Sequence, residues 1–128
     1  MTKEEKELLL KDLCARLPYG VIVNTYKGNG HVCDIDLNIF GTDVGVNINP
    51  TVRDNFSIND VKPYLFPVSS MTAEQKREYV HIVATYSTIE YSQIMHMTIE
   101  DWFNKNHLDY RGLIPMGIAL DATNKNIY

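Results

Sequence analysis

The sequence is poor in the residues that define small disulfide-rich and zinc-binding proteins. Its 128 residues include only two cysteines, Cys14 and Cys33, and these do not form a Cys-x-x-Cys pair. Two thiols so far apart do not build a disulfide framework. Because each follows an apolar period, we expect both to be reduced and buried as small apolar side chains.

The chain also lacks an apolar run long enough to cross a membrane. Its first residues carry charges of both signs, where a secretory signal peptide has an apolar core. The sequence therefore predicts a cytoplasmic protein with no membrane partner.

Positive charge is scarce as well. Twelve Lys and Arg residues against sixteen Asp and Glu residues give a formal net charge of −4 at pH 7. Residues 20–60 contain two basic and five acidic side chains. Since nucleic-acid binding normally requires a basic patch, nucleic acid is an unfavourable partner.

What is present predicts a single α+β domain over residues 1–128. The first element is a helix over residues 1–17, with Thr2 and Glu5 as a capping box. Asp12 and Arg16 form an i,i+4 pair of the kind found on helix surfaces. The predicted apolar stripe consists of Leu9, Leu10, Leu13, Cys14 and Leu17.

Residues 20–59 have the two-residue period of a sheet. Turns predicted at residues 27–30 and 40–43 would make it an antiparallel meander of three or four strands, or a small open barrel. Along the second strand, the alternation predicts an inward face and a solvated face of Asp34, Asp36 and Asn38. The inward face would consist of Cys33, Ile35, Leu37 and Ile39.

The second half is predicted to be a packed strap over residues 60–71 and a helical section over residues 72–128. Thr72 and Gln75 form a second capping box. Thr98 is expected to cap a further helix that ends near Asn106. The pattern over residues 87–97 is compatible with either helix or loop.

No metal or cofactor site is predicted. The spacing of Asp34, Asp36 and Asn38 matches the start of a calcium loop, but Ile39 and Gly45 occupy the positions where glycine and glutamate are needed. The four histidines share no helix face at i,i+4 spacing.

Residues 102–117 concentrate more specific side chains than any other stretch. His107, Asp109 and Arg111 are the candidate catalytic residues, since an imidazole beside a carboxylate is a possible general base and a guanidinium can hold an anion. Trp102, Tyr110 and Arg111 are the candidate binding residues. We favour a structural role for all five, with Trp102 as a buried packing anchor.

Residues 8–21, 60–72 and 101–114 together resemble a family of small uncharacterised proteins found in gut Bacteroidales genomes, prophages and phages. These blocks occur in order and span most of the chain. The family has no assigned reaction and no known catalytic residue. The resemblance implies a phage or mobile-element origin and the cytoplasm of a bacterial host.

Three functions follow as hypotheses. The first is a non-catalytic module that binds another protein and modulates a host or defence protein. The second is a small enzyme that uses His107, Asp109 and Arg111. The third is single-stranded nucleic-acid binding by the small β domain through aromatic stacking. The sequence leaves the partner's identity and the oligomeric state open.

Overall fold

The computed structural model describes residues 1–49, 52–86 and 92–128. The predicted α+β class is confirmed. The helices are α1 (Lys3–Arg16), α2 (Ala73–Tyr86) and α3 (Ser92–Lys105), and the strands are β1 (Ile22–Thr25), β2 (Gly28–Asn38), β3 (Gly41–Asn49), β4 (Val52–Ser57), β5 (Lys62–Leu65) and β6 (Leu120–Asp121).

The strands form one open mixed sheet in the order β4-β3-β2-β1-β5-β6. The antiparallel meander from β1 to β4 is confirmed, but the sheet has six strands where three or four were predicted. Part of the predicted strap is β5, which pairs antiparallel with β1, and β6 pairs parallel to β5. The strap becomes a strand because β1 has a second edge whose backbone groups need partners.

The prediction of a helical section over residues 72–128 is wrong for its last part, since residues 106–128 contain turns, irregular segments, a single bridge from Leu108 to Phe66, and β6. The second capping box is confirmed, because the Gln75 amide donates to Thr72 Oγ1 and the Thr72 amide donates to Gln75 Oε1. Thr98 is not a cap, because α3 already begins at Ser92. The β-branched residues that suggested a break in the helix each lower helix stability by only a few tenths of a kcal/mol. Residues 87–91 lie outside the described residues.

Helix α1 packs on one face of the sheet, and its predicted capping box is present. Its buried face contains Leu9 and Leu13 together with Asp12 and Arg16, at the i, i+3, i+4, i+7 spacing of one helix side. Cys14 is exposed, so the prediction that it is buried is wrong. One residue beyond Leu13, it is rotated about 100° from the buried face.

The core between α1 and the sheet is formed mainly by aliphatic side chains. Each such side chain contributes roughly 1.5–3 kcal/mol on burial. The cluster consists of Leu9, Leu13, Val21, Val23, Val32, Val44, Val46, Phe56, Ile58, Val61, Leu65, Leu113, Ile118 and Ala119.

Strand β2 departs from the predicted alternation at a bulge. The register with β3 shifts between Val32 and Asp34, so that Val32 is buried and Cys33 is only half-buried. Ile35 packs against the core beyond the bulge. The inward placement of Leu37 and Ile39 is wrong, since they are 68% and 93% exposed.

The first hairpin turn is also displaced from its predicted position. Thr25 pairs with Gly28, so that Tyr26 and Lys27 form the tip and residues 29–30 lie in β2. Among the described residues, no helix has both the length and the apolar composition needed to cross a membrane.

Candidate functional site

The predicted surface pair of α1 lies in the interior. Asp12 and Arg16 have no exposed surface, and Arg16 Nε donates to Asp12 Oδ2 at 2.8 Å. Arg16 Nη2 donates to the Leu108 carbonyl oxygen at 2.6 Å. This pair therefore ties the first helix to the segment that follows α3.

Arg111 binds the other oxygen of the Asp12 carboxylate. We call the hydrogen-bonded group of Asp12, Arg16, Leu108, Tyr110 and Arg111 the network around Arg16. Arg111 Nε donates to Asp12 Oδ1 at 3.3 Å, and its Nη2 donates to Tyr110 Oη at 2.6 Å. Both guanidinium groups lie over the Tyr110 ring, Arg111 at 4.7 Å and Arg16 at 5.5 Å from its centre. Burial raises the pKa of the Asp12 carboxyl, while the charge of Arg16 opposes that shift.

Asp109 shapes the turn that follows the network. Its Oδ1 accepts the Leu113 amide at 2.8 Å, and its Oδ2 accepts the Ile114 amide at 2.9 Å. The side chain is buried, and both carboxylate oxygens are engaged by backbone groups. Asp109 is thus placed as a turn-stabilising acceptor.

His107 is held against the last residue of the sequence. Its ring stacks on Tyr128, with centroids 3.6 Å apart and an interplanar angle of 13°. Burial, and then the positive charge of Arg16, lowers the pKa of His107 to about 4, so the imidazole is neutral at pH 7. Its Nδ1 has no hydrogen-bond partner among the described residues.

Tyr128 closes a gap between two strands. Its Oη accepts the Ile22 amide of β1 at 2.9 Å and donates to the Tyr64 carbonyl oxygen of β5 at 2.8 Å. Burial raises the pKa of Tyr128 to about 12, so it stays a hydrogen-bond donor over the whole physiological range.

Trp102 is 9% exposed, which confirms the prediction that it is buried. Its Nε1 donates to Glu78 Oε2 at 3.0 Å, and its ring lies 5.9 Å from that of Tyr79, so it joins α3 to α2. Phe103 stacks on Tyr110 at 5.1 Å, which shows that the chain folds back over α3.

The candidate catalytic residues are not brought together around one point. His107 stacks on Tyr128, Asp109 accepts two backbone amides, and Arg111 binds Asp12. Within residues 1–49, 52–86 and 92–128, no group of three or more His, Cys, Asp or Glu side chains is arranged to hold a metal ion.

Sequence reasoning missed Asp12, Arg16 and Tyr128. The signal for the first two was present, because an acid and a base alternate with leucines on the face that carries Leu9 and Leu13. No sequence pattern singles out Tyr128, whose role depends on where the strands lie.

The two hairpin turns of the meander lie at opposite ends of β2, and the β2–β3 turn is a second candidate site. In the β1–β2 turn, Thr25 Oγ1 accepts the Lys27 amide at 3.1 Å. The Tyr26 ring meets Phe56 of β4 edge-on at 5.1 Å, and Lys27 Nζ lies 3.4 Å from Asp54 Oδ2. Because β4 is three strands away from β1, the sheet must curl to make these contacts.

The β2–β3 turn is built in a similar way but has a different tip. Asn38 Oδ1 accepts the Phe40 amide at 2.8 Å, and Gly41 has a φ of 130°. Gly41 takes the positive φ of this turn, and Ile39 and Phe40 at its tip are 93% and 94% exposed. We call Leu37, Ile39 and Phe40 the apolar tip.

Two carboxylates lie beneath the apolar tip. Asp36 and Asp43 are directly opposed across β2 and β3, an arrangement in which like charges repel. In contrast, Asp34 on the same face binds Arg53 across Gly45, where a Cβ would overlap with both side chains. Among the described residues, no basic group lies within 4.0 Å of Asp36 or Asp43, which we call the acidic pair.

A groove of about 290 Å³ separates the apolar tip from α1. Phe40 and Asp43 contribute to its hairpin side, and Lys6, Glu7 and Leu10 contribute to its helix side. The groove makes one flank of Phe40 accessible to another molecule.

No family model, curated protein or solved structure matches this chain significantly.

Proposed function

We propose that the chain is a non-catalytic protein-binding module that contacts its partner through the apolar tip. The observation that carries the proposal is the near-complete exposure of Ile39 and Phe40 at a turn that would be satisfied by small polar residues. Adjacent exposed apolar side chains on a small domain are typical of protein interaction sites.

The construction of the turn supports this proposal. Asn38 accepts the Phe40 amide and donates through Nδ2 to Asp43 Oδ2 at 3.1 Å, and both hydrogen bonds restrict the conformations of the tip. A preorganised turn loses less conformational entropy on association than a mobile loop does. Aromatic and aliphatic side chains presented in this way can act as interface anchors.

The proposed setting is the cytoplasm of a bacterial host, where a phage or mobile-element protein would modulate a host or defence protein. This setting rests on the sequence resemblance described above. The net charge of −4 argues against nucleic acid as the alternative partner.

Affinity capture from bacterial lysate tests the proposal when it is done with matched variants. We expect the wild-type chain to retain a stoichiometric partner that an Ile39→Ser/Phe40→Ser variant loses. The control is Tyr26→Ser, which removes an exposed aromatic residue from the other hairpin tip. A partner retained equally by all three proteins would contradict the assignment of the binding surface.

A further inference from the structure

We infer that the partner is a protein with an apolar cleft whose rim carries a lysine or arginine opposite the acidic pair. The inference rests on the proposed function and specifies the chemistry of the partner. Two observations support it: the charges around the apolar tip, and the faces of the hairpin on which the charged and apolar side chains lie.

The acidic pair is unlike the other carboxylates of the meander. Asp34 has Arg53 as a partner, and Asp54 has Lys27, whereas Asp36 and Asp43 face each other. Among the described residues, the side chain of Asp43 accepts one hydrogen bond, from the neutral Asn38 amide. Two opposed carboxylates destabilise a hairpin slightly, and a cation placed over both would reverse that effect.

The groove beside the tip does not supply this cation to the acidic pair. Lys6 lines the groove, but Glu7 is next to it, and their charges cancel. Lys6 also makes no ion pair with Asp43 among the described residues. Among the described residues, the acidic pair therefore has no basic partner, and a lysine or arginine of a bound protein would supply one.

The apolar tip and the acidic pair lie on different sides of the hairpin. Ile35 and Leu37 follow one side of β2, and Asp36 lies between them on the other, opposite Asp43. Ile39 and Phe40 form the end. A partner that covers the apolar tip and also reaches the acidic pair must enclose the hairpin end, which is why a cleft fits better than a flat surface.

A second copy of this chain is a poor occupant. In a two-fold symmetric contact through the hairpin ends, each acidic pair would lie near the other. The chain as a whole also carries a net charge of −4. Electrostatic complementarity favours a basic partner, with faster association at low salt.

A displayed library of random cyclic peptides provides a defined probe. We would select it on the wild-type chain, on Ile39→Ser/Phe40→Ser and on Asp36→Asn/Asp43→Asn. Asp54→Asn is the control, because it removes a carboxylate that already has a basic partner. Peptides that depend on the tip should combine apolar residues with Lys or Arg, and neutralising the acidic pair should weaken them about tenfold and flatten their salt dependence.

Each other outcome overturns a specific statement. Tip-dependent peptides without a cation, or equal weakening by Asp54→Asn, would refute the inferred chemistry and leave the proposed binding surface intact. Absence of any tip-dependent peptide would overturn both. Self-association that sedimentation detects for the wild type, and that Ile39→Ser/Phe40→Ser abolishes, would identify a second copy as the occupant and refute the inference.

Discussion

The network around Arg16 and the β2–β3 hairpin end differ in where their specific side chains find partners. In the network, charged and aromatic groups from α1 and residues 107–114 are engaged with one another inside the fold. At the hairpin end, Ile39 and Phe40 extend into solvent. Residue types that suggest function in a sequence can therefore be structural, whereas the exposed apolar residues of the hairpin end are our proposed binding surface.

This comparison predicts that the two regions respond oppositely to mutation. Changes in the network should reduce the free energy of unfolding and affect binding only through loss of folded protein. Changes at the hairpin end should leave that free energy almost unaltered and remove binding.

The largest effect is expected for Trp102→Ala. Deleting a buried tryptophan should lower the free energy of unfolding by about 3–5 kcal/mol, as measured by urea denaturation. Trp102→Phe is the matched control, since it retains an aromatic ring and loses the hydrogen bond to Glu78. A red-shifted, readily quenched tryptophan emission in the wild-type protein would contradict the buried position.

Arg16→Met should come next. Removing one member of a buried ion pair costs about 3–5 kcal/mol, and the remaining contact of Asp12 with Arg111 places the loss at the lower end of that range. The double variant Asp12→Leu/Arg16→Met should be more stable than the single variant Asp12→Leu, because both lose the partner of Arg111 but only the single variant leaves Arg16 buried without its carboxylate. Equal losses in the two proteins would contradict this account of the network.

His107 should make stability depend on pH. Its pKa is about 4 in the folded protein and about 6.5 in an unfolded chain, so the folded state binds the proton less readily. The resulting stability is fully present above about pH 6.5 and is lost as the pH falls towards 4. Allowing for the partial exposure of the ring, the loss should be on the order of 1–2 kcal/mol.

The measurement is urea unfolding of the wild type and His107→Asn at several pH values. Asparagine is a suitable replacement because it tolerates the positive φ of 56° at this position. An unchanged pH dependence in the variant would show that His107 is not the titrating group.

The smallest effect on stability is expected at the hairpin end. Ile39→Ser/Phe40→Ser replaces side chains that are almost fully exposed, so its unfolding free energy should stay within about 0.5 kcal/mol of the wild type. Thermal denaturation provides the check. A loss above about 2 kcal/mol would mean that the tip packs within its own chain.

Short sequence patterns predicted the elements that depend on interactions between residues close together in the chain. Both capping boxes, the meander and the burial of Trp102 follow from spacings of a few residues. The strand role of residues 62–65 was not predictable from its own pattern, because it depends on pairing with β1, which is distant in sequence. The same is true of the bond between Tyr128 and Ile22.

The candidate sites show the same division. The sequence directed attention to residues 102–117, whose side chains the structure uses for packing and hydrogen bonding. The sequence did not indicate an exposed apolar tip, because the alternation of Cys33, Ile35, Leu37 and Ile39 predicted that these side chains form a buried face. A bulge, and a hairpin that extends beyond the last paired residue of β4, could be recognised only in three dimensions.

Amide hydrogen exchange with and without the captured partner tests the central claim most directly. The claim is that the hairpin end, and not the network around Arg16, forms the binding surface. It predicts that partner binding slows exchange at residues 36–43 and leaves residues 107–114 unchanged. Protection confined to residues 107–114, with none at the hairpin end, would contradict it.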